Sequence, residues 1–381
     1  MLSVTLHDRI DAIDPERWDA VGTDPLSCHR MLSALERAEL PGVRLWYALV
    51  EDARGATVAA APLTRIAIDG EHLTHGVFRR LIRAVRAAAP DFLRTSLLAC
   101  GTPLSVGNAP LRATAGVDHV RVTQVLAKQL GELADAEDVP WRVFKEFGSR
   151  HLATANLALL DNGRPWILAP SEPNAALDLG WESFDAYLAS LRGHYRYKIR
   201  TAARKMAEAG VSVEVRSLAD SYDESFHALY EAVLERASVQ FEHLTPLFFQ
   251  LLGRAFGDSA PLLVFRRGDR VVGWVALLVW KDTAYDLFHG IDYAENEEAA
   301  LYFNQLAAVV RVAIERRVRR LSLGQSTEIA KARFGARAVP LWIGLQHRRR
   351  GVTGVLRAGQ GVLFPDRAVP ERHVFRESQP G

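Results

Sequence analysis

A chain of 381 residues, 49% hydrophobic and 24% charged, is too long for one ordinary core and suits two globular domains of ~190 residues each. No apolar run approaches the ~20 residues that a membrane span requires, and Trp274 to Trp280 is the longest obvious one. A net charge of +2 argues against a general polyanion binder, DNA included. Cys28 and Cys100 supply neither a disulfide framework nor a ligand cluster. The first residues, MLSVTLHDRIDAIDPERW, carry early acids and no basic-then-apolar order, so a cytoplasmic rather than a secreted protein is expected.

In chain order, 4–7 reads as a strand, and 15–21 and 29–40 as helices. Residues 44–52 and 56–68 form a hairpin around Arg54-Gly55. A strand at 94–101, a helix at 117–134 and a strand at 141–148 follow. The stretch 161–178 is rich in proline, asparagine and glycine and reads as the join between domains.

The second half carries stronger periodicity. Phe184, Tyr187, Leu188, Leu191, Tyr195, Ile199, Ala202 and Met206 recur at steps of three and four, which predicts one helix over 183–208. VSVEVRS (211–217) alternates like a half-buried strand. Helices at 220–236 and 246–256 precede a hairpin of 261–280 turning at Arg267-Gly268-Asp269. A strand at 284–291, a long helix at 297–317 and strands at 319–324 and 339–348 complete the pattern. The order suits mixed, mostly antiparallel sheets flanked by helices, an α/β (α+β) class, rather than a doubly wound nucleotide-binding sheet. The first half repeats the order at a period of ~180 residues, which predicts duplication of one domain. The expected divisions are 1–170, 171–350 and a C-terminal tail, 351–381.

Several chemistries are missing. There is no phosphate loop, no strand–GxGxxG–helix unit, no H-E-x-x-H and no G-x-S-x-G. His72 and His75 read as a solvated loop pair, so no metal site is expected.

Three segments of the second half remain. Arg192, Arg196, Arg200 and Arg204 recur at steps of four and, with Lys198, form a cationic stripe with few balancing acids, suited to a phosphate-bearing donor. In the strand-to-helix passage 286–307, His289, Asp292, Tyr293, Tyr302, Asn304 and Gln305 are candidates for holding substrate, near backbone N–H groups freed by a helix start. In the strand-end loop 321–336, Gln325 and Ser326 could hydrogen-bond a carbonyl. Lys331 could supply positive charge to a developing oxyanion or phosphate.

The combination of DLGWESFDAYLASLRGHYRYKIRTAARK, YDLFHGID and LGQSTEIAKARFGA resembles the GNAT-related acyltransferase domain of Fem-type (FemAB-like) proteins, over roughly 175–350. The first half resembles the degenerate first domain of such proteins, which implies tandem GNAT-like domains. The resemblance implies transfer of an acyl or aminoacyl group to an amine of a small molecule or of a cell-envelope or natural-product precursor. No bound cofactor is implied, and acyl-CoA or aminoacyl-tRNA serves as co-substrate. Lys331 falls on the family's lysine, near the leaving-group phosphate or the reacting carbonyl. His289, Glu328 and Asp292 are candidates for the base that neutralises the amine. Two departures stand out. The [RQ]-x-x-G-x-[GA] segment that binds CoA is replaced by YAENEEAALY at 293–302, and the coiled-coil arm of some Fem-type transferases is absent. A non-catalytic binding protein with a decayed donor site is the rival expectation.

Overall fold

The computed structural model describes residues 2–69, 80, 83–87, 94–104, 106–107, 109–160, 166–237, 243–326, 328–364 and 372–376. His72 and His75 lie outside them. The chain folds as two units. The first comprises Met1–Glu172, Ser238–Leu244 and Pro340–Arg367, and the second Pro173–Ala237, Thr245–Val339 and Ala368–Gly381.

In the first unit, strands β1 (Ser3–His7), β2 (Val43–Glu51), β3 (Thr57–Asp69) and β4 (Arg94–Cys100) pair antiparallel in that order. The short β5 (Arg112–Ala113) adds to β3, and β6 (Trp141–Gly148) runs parallel to β4. A parallel pair needs a crossover, and the helix His119–Ala136 provides it. Asp118 starts that helix by accepting hydrogen bonds from the Val120 and Arg121 amides. Its buried Val122, Leu126 and Leu130 pack with Phe144 and Trp166.

The second unit repeats the plan. Its strands are the end of β7 (Ile167–Asp178), then β8 (Val211–Ser217), β9 (Pro261–Arg267), β10 (Arg270–Trp280), β11 (Thr283–Ile291) and β12 (Arg320–Ser322). Their order across the sheet is β7-β12-β11-β10-β9-β8, antiparallel except where β11 and β12 run parallel around the helix Leu301–Glu315. That helix packs with Phe184–Ser190 and Gly193–Glu208 over Val275, Leu277, Ala284 and Leu321. The helices Glu224–Arg236 and Pro246–Phe256 carry Phe226 and Phe249 against Trp274 and Phe288. Gly253 is needed there, because a Cβ would lie 2.3 Å from the Ala219 amide nitrogen.

Each sheet is completed by a strand from the other half of the sequence. β7 follows the helix Ser149–Leu160 in the chain, yet its Ala176, Leu177 and Asp178 pair with β12. The last strand, β13 (Arg337–His347), follows Glu328–Ala332, yet its Leu341 to His347 pair with β6 in the first unit. The expected boundaries therefore move. Residues 340–350 belong to the first unit, and 167–178 is a strand rather than a loop. The expected tail begins with two helices, Arg350–Ala358 and Gln360–Leu363.

Two expected helices are interrupted. The first breaks at Leu191, which is extended, fully buried and bridged to Phe375, while the Arg192 amide donates to Val374 O at 2.9 Å. The long helix breaks at Ala300, which is left-handed at φ 49° and joins Tyr293–Ala299 to Leu301–Glu315. A non-glycine residue in that conformation is strained. Asn304 holds it, donating from Nδ2 to Ala299 O at 2.9 Å and Ala300 O at 3.2 Å.

Candidate functional site

β11 and β12 pair over three positions only, ending at Tyr285 and Ser322. Beyond them β12 turns to β7, where the Leu323 amide donates to Ala175 O and Gly324 O accepts from the Ala175 amide. β11 continues to Ile291 beside β10. The two parallel strands thus part at their carboxyl ends, and such a fork is where α/β sheets place ligands.

Asp286 is the first residue of β11 past the last paired position. It is 4% exposed. His289 lies three residues on, which in a regular strand would put it on the opposite face. The β10–β11 register shifts between Ala276 and Leu277, so that Phe288 faces Ala276 while Asp286 faces Leu277. Leu287 is therefore the extra residue of a β-bulge. The bulge reverses the alternation and places Asp286 and His289 on the face covered by Leu301–Glu315.

There His289 Nε2 lies 3.0 Å from Asp286 Oδ2 and 2.9 Å from Oδ1, and Nδ1 lies 2.9 Å from Gln305 Oε1. Gln305 is wholly buried, and its Nε2 donates to Gly290 O at 2.9 Å and Trp274 O at 3.3 Å. Those carbonyls fix the amide's orientation, so Oε1 must accept and His289 Nδ1 carries a hydrogen. His289 is thus not an open base, since both ring nitrogens are engaged. Only Oδ2 of Asp286 meets hydrogen-bond geometry, and Oδ1 is buried without such a partner.

Lys331 approaches the same fork. It is 4% exposed, and Nζ donates to Gln325 O at 2.7 Å and Gly324 O at 3.3 Å. Gly324, at φ +70°, has its Cβ position 3.5 Å from Asp286 O. Gly324 thus touches the main chain of Asp286 and accepts from the Lys331 ammonium. An ordinary solvated lysine does not fit this burial. Gln325 is half-buried beside it, Ser326 is exposed at φ 61°, and Glu328 opens the short helix that carries Lys331.

The remaining candidates are placed differently. Asp292 caps Tyr293–Ala299 through the Ala294 amide and pairs with Arg270 at 2.7 Å. Glu295 joins Arg270 and Arg267. Burial pushes its carboxyl up, but the two guanidiniums outweigh this and hold it below the ordinary range. Asp292 and Asn304 are thus occupied within the scaffold, and the acids at this helix start oppose an anion. Asn304 also donates to Ala202 O at 2.9 Å, which ties Leu301–Glu315 to Gly193–Glu208. Tyr302 stacks edge-on to His289 at 5.5 Å, and Tyr293 lies under the Arg236 guanidinium at 4.0 Å. Burial pushes the Tyr293 hydroxyl up.

The cationic stripe is shorter than expected. Arg192 precedes the helix and donates from Nε to Phe375 O at 3.2 Å. Arg204 sits 3.7 Å from Glu208. Arg200 is exposed, and Arg196 and Lys198 are half-exposed.

The first unit holds a cavity of about 250 Å³ against Arg112, His119 and His151. The Arg112 guanidinium there holds the chain at Asp19 to Asp24 through their carbonyls and lies 3.1 Å from the Asp19 carboxylate. The candidate site is the fork, where buried charged groups gather.

Asp286 is the residue that sequence reading missed. An Asp-x-x-His pair in a strand shows no shared face unless the bulge between them is known.

Residues 193–332 match the family model for an acetyltransferase (GNAT) domain. No curated protein matches the chain. Among solved structures, FemX is similar over 91% of this chain and 98% of its own, at 11% identity and a TM-score of 0.57. A C-terminal domain from Agrobacterium fabrum, described as that of a lysylphosphatidylglycerol synthetase, is similar over 91% and 96%, at 13% identity and a TM-score of 0.51. A tandem GNAT protein of clavulanic acid biosynthesis is similar over 91% and 98%, at 13% identity and a TM-score of 0.49. The family match thus falls on residues 193–332, and the fold is similar to that of FemX. No described helix is long and apolar enough to cross a membrane.

Proposed function

We propose that this GNAT-domain chain is a cytoplasmic N-acyltransferase that joins an activated acyl or aminoacyl group to an amine at the fork between β11 and β12. The observation that carries this is the burial of Lys331 beside the fork, within a domain of the GNAT family. An ammonium fixed there opposes the negative charge that grows on the carbonyl oxygen or the leaving group, and it needs no reorganisation as the reaction proceeds. Gln325 and Ser326 flank it and would orient the carbonyl or the acceptor. The rest of the acceleration comes from holding amine and carbonyl together.

The donor is acyl-CoA or aminoacyl-tRNA. The acceptor is the amine of a small molecule or of a cell-envelope or natural-product precursor. The name of the Agrobacterium fabrum neighbour supports keeping an aminoacyl group among the candidates. The acids at Asp292, Glu295 and Glu298 leave phosphate recognition to the helix Gly193–Glu208. Incubation with radiolabelled acyl-CoAs and, separately, with charged tRNAs in the presence of an amine panel tests the assignment. Label transferred to an amine supports it. No transfer from either donor class would instead make the chain a binding protein with a decayed donor site.

Arg196→Gln with Arg200→Gln should weaken the donor about tenfold, with the difference shrinking in high salt. Neither residue is buried, so the melting temperature should hold. Unchanged donor affinity would make the stripe an ordinary solvated face. Its salt slope would also separate the donors, because tRNA contacts many more phosphates than CoA.

A further inference from the structure

We propose that Asp286 is the proton acceptor of the transfer, and that His289 and Gln305 are positioning residues that hold its carboxylate ionised at the apex of the fork. This rests on the acyltransferase reading. Its basis is the count of hydrogens in the buried cluster. Gln305 uses both Nε2 hydrogens on backbone carbonyls, so its Oε1 takes a hydrogen from His289 Nδ1. His289 Nε2 then faces Asp286 at 2.9 to 3.0 Å. A neutral ring in this tautomer would set a lone pair against a carboxylate, so one further proton lies between the two groups. Two arrangements satisfy that requirement, imidazolium with carboxylate or imidazole with carboxylic acid. The first leaves Oδ1, buried without a hydrogen bond and 2.9 Å from His289 Nε2, as the anionic acceptor.

In the step, the acceptor's N–H proton passes to Oδ1 while the nitrogen lone pair forms the bond to the acyl carbon. The carbon–sulfur bond of a thioester, or the carbon–oxygen bond of an aminoacyl ester, breaks with its electron pair on the leaving atom. The proton on Asp286 then moves to that leaving group. Carboxylate and imidazolium are both restored.

Two measurements on the full chain test this. The first needs no substrate. In protein labelled with ¹⁵N-histidine, the His289 ring, assigned by its loss in His289→Gln, should show hydrogens on both nitrogens at neutral pH. In Asp286→Asn it should show one. A singly protonated His289 in the unsubstituted protein would mean that Asp286 is already a neutral acid, and would overturn the proposal while leaving the acyltransferase reading intact. The second uses acetyl-CoA, or charged tRNA if that is the active donor, with the amine panel. Asp286→Asn keeps the size and one acceptor of the side chain. Turnover should fall about 100-fold, with the KM of the donor changed less than about threefold. Turnover retained in Asp286→Asn would also overturn the proposal. Absence of transfer in the unsubstituted protein would remove the acyltransferase reading and this role with it.

Discussion

Replacing Lys331 by Met should lower turnover about 100-fold, with the acceptor's KM little changed. Met keeps the length of the side chain and fills the buried space, so packing survives. What is lost is the cation, which interacts more strongly with the transition state than with bound substrate. The structure adds a second consequence. Nζ serves Gly324 O and Gln325 O, and these lose that donor in the variant, at a cost of about 1–3 kcal/mol. Lys331→Arg should rescue in part only, because a planar fork does not occupy the point of an ammonium. Turnover and thermal melting measured on both variants separate the roles. A lowered melting temperature with full turnover would reduce Lys331 to an anchor for the loop.

Gly290→Ala should destabilise the second unit by about 4 kcal/mol and lower its melting temperature by about 10 °C. The added Cβ would lie 2.0 Å from Trp274 Nε1. Trp274 is fully buried, donates to Phe226 O at 2.8 Å, and is hemmed by Tyr222 and Phe249 at ring distances of 5.2 and 5.5 Å. The indole has nowhere to retreat without breaking that hydrogen bond. Calorimetry or a urea transition on the full chain checks this, and a melting temperature within about 2 °C of the parent's would refute it.

Much of the architecture was legible because it depends on local pattern. The hairpin at Gly268, the strand Val211–Ser217 and the Pro246–Phe256 helix lie where periodicity and turn residues put them, although that strand is not half-buried as its alternation implied, since Val213 and Val215 are exposed. The interruptions were not legible. Leu191 continues the apolar spacing of its helix, and only its bridge to Phe375, far along the chain, shows why the backbone straightens there. Ala300 is a good helix former, held left-handed by Asn304. The site divided in the same way. Lys331 stood out as a candidate through the segment around it, whereas Asp286 becomes a candidate only through a bulge that leaves no mark in the sequence. Asn304 and Asp292 looked available as polar side chains beside a helix start. Their hydrogen bonds are taken up within the fold, which only coordinates reveal.

The reciprocal exchange of β7 and β13 has a consequence for biosynthesis. β6 waits for its second neighbour until Leu341 to His347 have been made, roughly two hundred residues after β6 itself. At a translation rate of ~5–20 residues per second, that is on the order of 10–40 s during which the first unit's sheet lacks a strand on the ribosome. The exposed edge of β6 includes the main chain of Phe144 and Phe147, and an open edge beside apolar residues invites pairing with other chains. That edge therefore stays open through about half of the chain's synthesis. A ribosome stalled before residue 341 would carry a first unit whose sheet still lacks its last strand.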